Sequence, residues 1–459
     1  MKIRFHHILL FLLFSIPLLS TAQTTLRLRN CIETAVENNL QAQLSSNSIN
    51  SAEITLLQKK FDFLPSVNAN LPINKSFGKS ADIYTQQIAI SPWTSNPSLI
   101  ASFTAFKGLS KWSGLKNAEY SLMASQYSLE DLKNDIRINT ALAFFQVVFA
   151  GENLKIARNR KEVLTKQLEK AQFQFEAGAV TEGDVYTVKA QVATEAVNVI
   201  SQENAYNRAL LDLVLSMNLD PAVSYEVEAP VLMELEGEQN IPSITSVFDE
   251  AKMSNPGIRK QEFQALAAKY AINTARASFM PTVNINFGMG SFYSSNARDR
   301  VGYGLDADGF PQIIYGDTKP ILAQLETNFS QSMSISLNIP IFNRYLNRQS
   351  YLNSKLNYKN ALLNVEITQN DLFKSIQQAH LDARAAMAKY EATEIQLESL
   401  NESFRYAEAK QNAGMLDFYT FIDILNNKTK AEVDLVQARY DFVLKRKILD
   451  LYQGKELSF

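Results

Sequence analysis

The segment QSMSISLNIPIF, residues 331–342, alternates strictly. Met333, Ile335, Leu337, Ile339 and Ile341 are apolar, whereas Ser332, Ser334, Ser336, Asn338 and Pro340 are small or polar. Successive side chains of an extended chain point to opposite faces, so a period of two predicts a β-strand with one apolar and one small polar face. A half-buried strand of a soluble sandwich and a strand between lipid and water carry the same pattern. Val283, Ile285, Phe287 and Met289 alternate likewise with Asn284, Asn286, Gly288 and Gly290, and Val67, Ala69, Leu71 and Ile73 with Asn68, Asn70, Pro72 and Asn74. A fourth, less regular strand is expected around Leu99, Ala101, Phe103 and Ala105. About ten residues span ~33 Å, enough to cross a bilayer at a tilt of ~45°. Pro72 and Pro340 each remove a ladder donor and count against regular central strands there.

Elsewhere the pattern is helical. No proline occurs between Pro97 and Pro221 or after Pro340, and the only glycines after Pro340 are Gly414 and Gly454. The chain can therefore run from Asn343 to about Asn412 as one helix of ~70 residues, about 105 Å long. Leu372, Ile376, Ala379, Ala383, Ala386, Tyr390, Thr393, Leu397, Leu400, Phe404 and Ala407 keep a 4,3 spacing without a slip. Helices with that seam pack side by side, either in a barrel or bundle of several helices or in an ordinary extended coiled coil.

The chain is one unit written twice. KKFDFLPSVNANLPINKSFG at 59–78 lies over RASFMPTVNINFGMGSFYS at 276–294, pairing Pro65 with Pro281, and IETAVENN at 32–39 lies over FDEAKMSN at 248–255, both pairings at an offset of 216. FEAGAVTEGDVYTV at 175–188 lies over QNAGMLDFYTFIDI at 411–424 at an offset of 236, which Phe106 and Phe342 share. Each copy reads helix, strand, loop, strand, very long helix, tight turn, helix. The expected division is a signal peptide over 1–22, a first repeat over 23–220, an inter-repeat segment over 221–244 that forms a collar around the helices, and a second repeat over 245–459. The twenty additional residues of the second copy fall in RDRVGYGLDADGFPQIIYGDTKP, 298–320, whose Gly, Asp, Tyr and Pro content predicts an irregular loop facing the cell exterior. Asp306–Gly309 resembles part of a calcium loop but lacks its full spacing of acids.

Gly178 and Gly414 stop the long helices, because glycine accepts the left-handed conformation of a C-terminal cap. Asp184 and Asp417 then fall where the next helix begins, as N-cap or first-turn acids. Capping alone accounts for them; a second role needs several copies around an axis, where each acid becomes a ring that selects or binds cations.

Composition narrows the class. MKIRFHHILLFLLFSIPLLSTAQT has Lys2 and Arg4, an apolar core from Ile8 to Leu19 and Ser20-Thr21-Ala22 before Gln23, the plan of a secretory signal peptide. Its loss leaves 43 Lys and Arg against 47 Asp and Glu, a balance that favours no nucleic acid. No later segment reaches ~18 consecutive apolar residues, so membrane contact has to come from strands closing into a barrel. Cys31 is the only cysteine and lacks a lipoprotein cleavage site before it, which leaves it a packed helix residue. With His6 and His7 in the signal, a Ser-His-Asp or Cys-His nucleophile could be built only around His380, which falls in a long helical run. No Gly-x4-Gly-Lys-[Ser/Thr] loop is present, so energy has to come from a partner. No enzymatic activity, catalytic residue, metal site or cofactor is expected.

The duplicated plan, the strand pairs flanked by very long helices and the Gly178–Asp184 turn resemble the TolC-type outer-membrane factor (outer membrane efflux protein) family over essentially the whole mature chain. The resemblance implies a mainly α protein with membrane β-structure, a homotrimer in which each chain gives four strands to a twelve-stranded barrel standing on an α-helical barrel. Such a protein sits in the outer membrane and extends into the periplasm. It implies two partners, a periplasmic adaptor (membrane fusion protein) and an inner-membrane pump of RND or ABC type, besides outer-membrane lipid. Val283, Ile285, Phe287, Met333, Ile335, Leu337 and Ile339 would then face lipid, and Asn284, Asn286, Ser332, Ser334 and Ser336 a wet lumen. The helix tips around Gly178, Asp184, Gly414, Asp417, Thr420 and Asp423 would meet the adaptor and form the gate. Relatives often carry aspartates six and nine residues after the second tip glycine; here Thr420 and Asp423 stand there, so one acid ring is kept and one is absent. An arginine that locks some members two residues after that glycine is replaced by Leu416. The implied function is a passive exit duct for small molecules, with type I polypeptide secretion and a non-pore periplasmic coiled-coil scaffold as alternatives.

Overall fold

The computed structural model describes residues 24–75, 77–81, 88–230, 241–305 and 309–455. The signal peptide, Asp306–Asp308 of the partial calcium loop and residues 231–240 of the inter-repeat segment lie outside them. In chain order the described elements are β1 (Thr24–Leu26), α1 (Leu28–Asn38), α2 (Leu40–Phe61), β2 (Ser66–Asn70), β3 (Ile73–Lys75), β4 (Lys79–Ala81), β5 (Ile88–Ile90), β6 (Trp93–Ser95), β7 (Ser98–Lys107), α3 (Ser110–Glu176) and α4 (Glu182–Ser216). There follow β8 (Tyr225–Val227), α5 (Ile244–Ser254), α6 (Pro256–Ala277), β9 (Thr282–Gly290), β10 (Tyr293–Ser294), β11 (Arg298–Leu305), β12 (Pro311–Thr318), α7 (Ile321–Thr327), β13 (Ser330–Asn338), α8 (Leu346–Asn412) and α9 (Phe418–Tyr452). The helix lengths 11, 22, 67 and 35 occur twice in the same order.

Small details of the backbone recur with the lengths. Asn39 and Asn255 each end an 11-residue helix and cap the next, their Oδ1 atoms accepting from Ala42 N–H at 3.0 Å and Ile258 N–H at 3.1 Å. Where β7 turns into α3, Gly108 and Leu109 take φ of 55° and 64°; the matching Arg344 and Tyr345, before α8, take 54° and 70°. Gly108 has no alternative, because a Cβ there would stand 2.8 Å from both the Ala277 carbonyl oxygen and Met280 Cβ.

The described residues divide into two compact units. The first comprises the residues up to Asn47, Gln126–Lys260 and the chain from Glu366 on. Its largest core joins Cys31, Ile32 and Ala35 of α1 to Ile136, Phe144 and Val147 of α3 and Leu213 of α4. Val247 and Ala251 of α5, Ile258 of α6 and Leu372 and Ile376 of α8 form the matching cluster of the second copy. Cys31 is fully buried, as its packed-helix reading expects, and burial pushes its thiol up to about 12. Every residue of the α8 seam is buried or half-buried, including polar Thr393, whose Oγ1 donates back to the Lys389 carbonyl at 2.9 Å. β8, from the inter-repeat segment, pairs in parallel with β1.

The second unit, Ser48–Ser125 and Gln261–Val365, holds an antiparallel sheet in the order β13-β9-β7-β2. Two expectations about the strands are corrected. β13 ends at Asn338, so Ile339 lies one residue beyond the strand, and Pro340, which cannot donate to a ladder, explains the stop. Residues 298–320 are not an irregular loop: β11 and β12 form an antiparallel hairpin that pairs Tyr303 with Ile313 and Leu305 with Pro311. Val301, Tyr303, Ile313, Ile314 and Tyr315 suit a pleated ribbon, and the glycines and prolines that signalled a loop are absorbed within it and at its ends. Pro72 separates β2 from β3, and β3 pairs with β6 instead of extending the larger sheet.

Candidate functional site: two helix tips and a two-faced sheet

The tips lie in the first unit, where α3 turns into α4 and α8 into α9. α3 closes with Gly178 at φ 75°, Gly178 N–H donating to Phe175 O at 2.9 Å and Ala179 N–H to Gln174 O at 2.8 Å. α8 closes with Gly414 at φ 73°, Gly414 N–H donating to Gln411 O at 3.1 Å and Met415 N–H to Lys410 O at 2.9 Å. Both are Schellman caps, which satisfy carbonyls that a helix end leaves without partners. Lys170 adds donors from α3, its Nζ lying 3.1 Å from Gln411 O and 3.0 Å from Asn412 Oδ1.

The helices that leave the tips start on paired caps. Thr181 is the N-cap of α4, and Asp184 reaches back to it, Oδ2 accepting from Thr181 N–H at 2.9 Å and Oγ1–H at 2.7 Å. In α9 the order is exchanged: Asp417 is the N-cap, accepting from Thr420 N–H at 2.9 Å and Thr420 Oγ1–H at 2.6 Å. These hydrogen bonds hold both carboxyls below the ordinary carboxylate range, Thr181 being the largest cause for Asp184 and Thr420 for Asp417. Asp423 is exposed and accepts from Asn427 Nδ2 at 3.3 Å. Leu416, at the position where some relatives carry a locking arginine, packs on the cluster of Leu164, Ala407, Phe421, Ile422 and Leu425 beneath the turn.

A buried polar group ties the same helices together. Arg160 Nε of α3 lies 3.1 Å from Glu195 Oε2 of α4, with the Glu195 side chain 5% exposed, and the guanidinium also donates to Asn426 of α9. Asn198 Nδ2 donates to Glu195 Oε1 at 2.7 Å. Sequence reading missed this group, since a pair 35 residues apart across a turn has no local signature. Thr181 is different: its Thr-x-x-Asp capping pattern is legible in the sequence, and Asp184 alone does not reveal that the threonine is the N-cap.

In the sheet the expected alternation becomes continuous rows. Met333 lies opposite Phe287, Ile335 opposite Ile285 and Leu337 opposite Val283; β7 extends these rows with Ala101, Phe103 and Phe106. On the other face Ser332 pairs with Gly288, Ser334 with Asn286 and Ser336 with Asn284, continued by Ile100, Ser102 and Thr104. Thr104 Oγ1 donates to Asn284 Oδ1 at 2.9 Å. The irregular fourth strand has its cause in a bulge between Thr104 and Phe106, which leaves Ala105 unpaired and returns Phe106 to the apolar face.

A chain with a two-faced sheet and paired 67-residue helices closed by capped turns has the fold of bacterial outer-membrane channels. It superposes on the crystal structure of a membrane protein from Pseudomonas aeruginosa with a TM-score of 0.75 at 17% identity, covering 93% of this chain and 92% of that one. The CmeC outer membrane channel of Campylobacter jejuni gives a TM-score of 0.75 at 17% identity over 94% of this chain and 87% of the other. In sequence, the outer membrane protein TolC of Salmonella enteritidis is 20% identical over 82% of this chain and 74% of its own length. Residues 247–454 match the family model of the outer membrane efflux protein.

Proposed function

We propose that the protein is the outer-membrane duct of a tripartite efflux system. Three copies join their four-stranded sheets into a twelve-stranded barrel, and their helices continue it as a periplasmic tunnel. Small molecules pass through it, driven by an inner-membrane pump of RND or ABC type and a periplasmic adaptor. The observation that carries the reading is the coherence of the sheet's two faces: the row Met333, Phe287 and Ala101 and the row Ile335, Ile285 and Phe103 would meet lipid, and Ser334, Asn286 and Ser102 would meet water. A soluble scaffold gives no reason for a row of Met333, Ile335 and Leu337 that stays 60–67% exposed.

The tips serve as the adaptor contact and gate. Phe173, Tyr186, Met415 and Tyr419 are exposed beside the rigid caps and supply apolar anchors. Asp423, on three symmetry-related copies, forms a carboxylate ring that tunes cation passage; an Asp423→Ala channel with unchanged conductance and unchanged block by divalent cations would remove that role.

Growth inhibition of a deletion strain by dyes, detergents, antibiotics and divalent metals, against a complemented parent, tests the duct. Sensitisation reversed by the intact gene is expected, and the toxic class that emerges indicates the pump. Recovery of the protein in the soluble periplasmic fraction would overturn the reading.

A further inference from the structure

The polar face of the sheet ends over a cleft of ≈ 800 Å³ within the second unit, lined among others by Ser102, Thr104, Lys59, Asp62, Lys107 and Lys111. The bulge at Ala105 controls what enters it. Strict alternation from Ser102 and Thr104 would turn Phe106 to the polar face and Lys107 away from it; the unpaired residue reverses the parity, so Phe106 lies opposite Val283 and Lys107 opposite Thr282. A single inserted residue thus exchanges an aromatic ring for an ammonium at the cleft.

Its charge is unbalanced. Lys59 is neutralised by Asp62, 3.3 Å away. Lys111 is held in place without neutralisation, its Nζ donating to the Thr104 carbonyl oxygen at 2.7 Å and lying 5.1 Å from the Phe103 ring centroid. Lys107 is exposed and makes no ion pair among the described residues. Lys107 and Lys111 therefore line a recess that also holds hydroxyls, an amide and the apolar Phe61, Leu64 and Pro65, with Lys111 pinned by the Thr104 carbonyl and Lys107 making no ion pair among the described residues.

We propose that the cleft is a subsite for organic anions in transit, with Lys107 and Lys111 taking the carboxylate or sulfonate of the cargo and the serine and threonine hydroxyls donating to its remaining oxygens. The inference rests on the duct reading, which makes the polar face the lumen. Three copies would repeat the subsite around the passage, so that anionic molecules are concentrated there relative to cations of the same size.

Purified protein reconstituted in planar bilayers provides the test, with m-benzenedisulfonate as probe and trimethylphenylammonium as its cationic control. The expected result is block of single-channel current by the disulfonate and not by the control, weakening as salt rises. The half-blocking concentration should rise about fivefold in Lys107→Gln and further in Lys107→Gln/Lys111→Gln, while Lys107→Arg retains block. Equal block of the wild type and the double variant, with channel steps intact, would overturn the subsite and leave the duct standing. Absence of any channel steps from the wild type would overturn the duct, and the subsite with it.

Discussion

Asp417 and Thr420 hold each other through the Thr420 backbone N–H at 2.9 Å and its hydroxyl at 2.6 Å, and they stand where the first copy has Thr181 and Asp184. The two copies have kept the hydrogen-bonded pair while exchanging its members between N-cap and third helical position. Either order suffices, because the hydroxyl and the carboxylate can each accept from the first-turn amides. The double exchange Asp417→Thr/Thr420→Asp should therefore leave the tip intact, whereas Asp417→Ala should speed amide exchange at Thr420 several-fold. A double exchange as disruptive as the alanine variant would show that the order carries a separate role.

The same caps set a pH response. Asp184 and Asp417 are lowered by bonds that exist only in the folded turn, so their contribution is complete above the unfolded aspartate value near ~4. It is lost as pH falls through the depressed folded values. Amide protection at the first turns of α4 and α9, taken relative to the intrinsic exchange rate at each pH, should hold down to about pH 4 and fall below it, while protection in the buried seam around Ile376 and Ala383 changes less.

Gly108 and Arg344 share one backbone conformation but differ in surroundings. Gly108→Ala adds a left-handed alanine and a collision with the Ala277 carbonyl, and should destabilise by about 2–4 kcal/mol. Arg344→Gly relieves the same left-handed strain and should be neutral or stabilising by up to about 1 kcal/mol. Thermal unfolding in detergent distinguishes the two.

Cysteine labelling can test the faces of the sheet on the wild-type background, because Cys31 is fully buried with its thiol pushed up to about 12. In intact outer membranes Ser334→Cys should react with a water-soluble maleimide and Ile335→Cys should not. The reverse order would refute the assignment of Ile335 to lipid and Ser334 to water.

Arg160 and Glu195 form a largely buried pair, so Arg160→Met strands a carboxylate that is 5% exposed and should cost about 2–4 kcal/mol. Replacing both by leucine removes the unpaired charge and should recover most of that loss. A double variant no better than the single one would place the cost in the lost Asn426 contact.

Much of the architecture was readable because it is periodic and written twice. The 216 and 236 offsets, the seam from Leu372 to Ala407, the helix stops at Gly178 and Gly414 and the alternation around Met333 are properties of nearest neighbours or of one helix face. They are encoded in spacing alone. Other features depend on partners far away in the chain. Whether Ala105 bulges is decided by the register against β9, which turns Lys107 into the cleft. Whether 298–320 coils or pairs is decided by Tyr303 finding Ile313. Arg160 and Glu195 become one group only when α3 and α4 pack. By itself the sequence determined the lengths, the repeats and the two faces of the strands, since each follows from local sterics and periodicity; tertiary structure alone decided register and long-range pairing, because those are set by contacts between segments whose separation along the chain leaves no local trace.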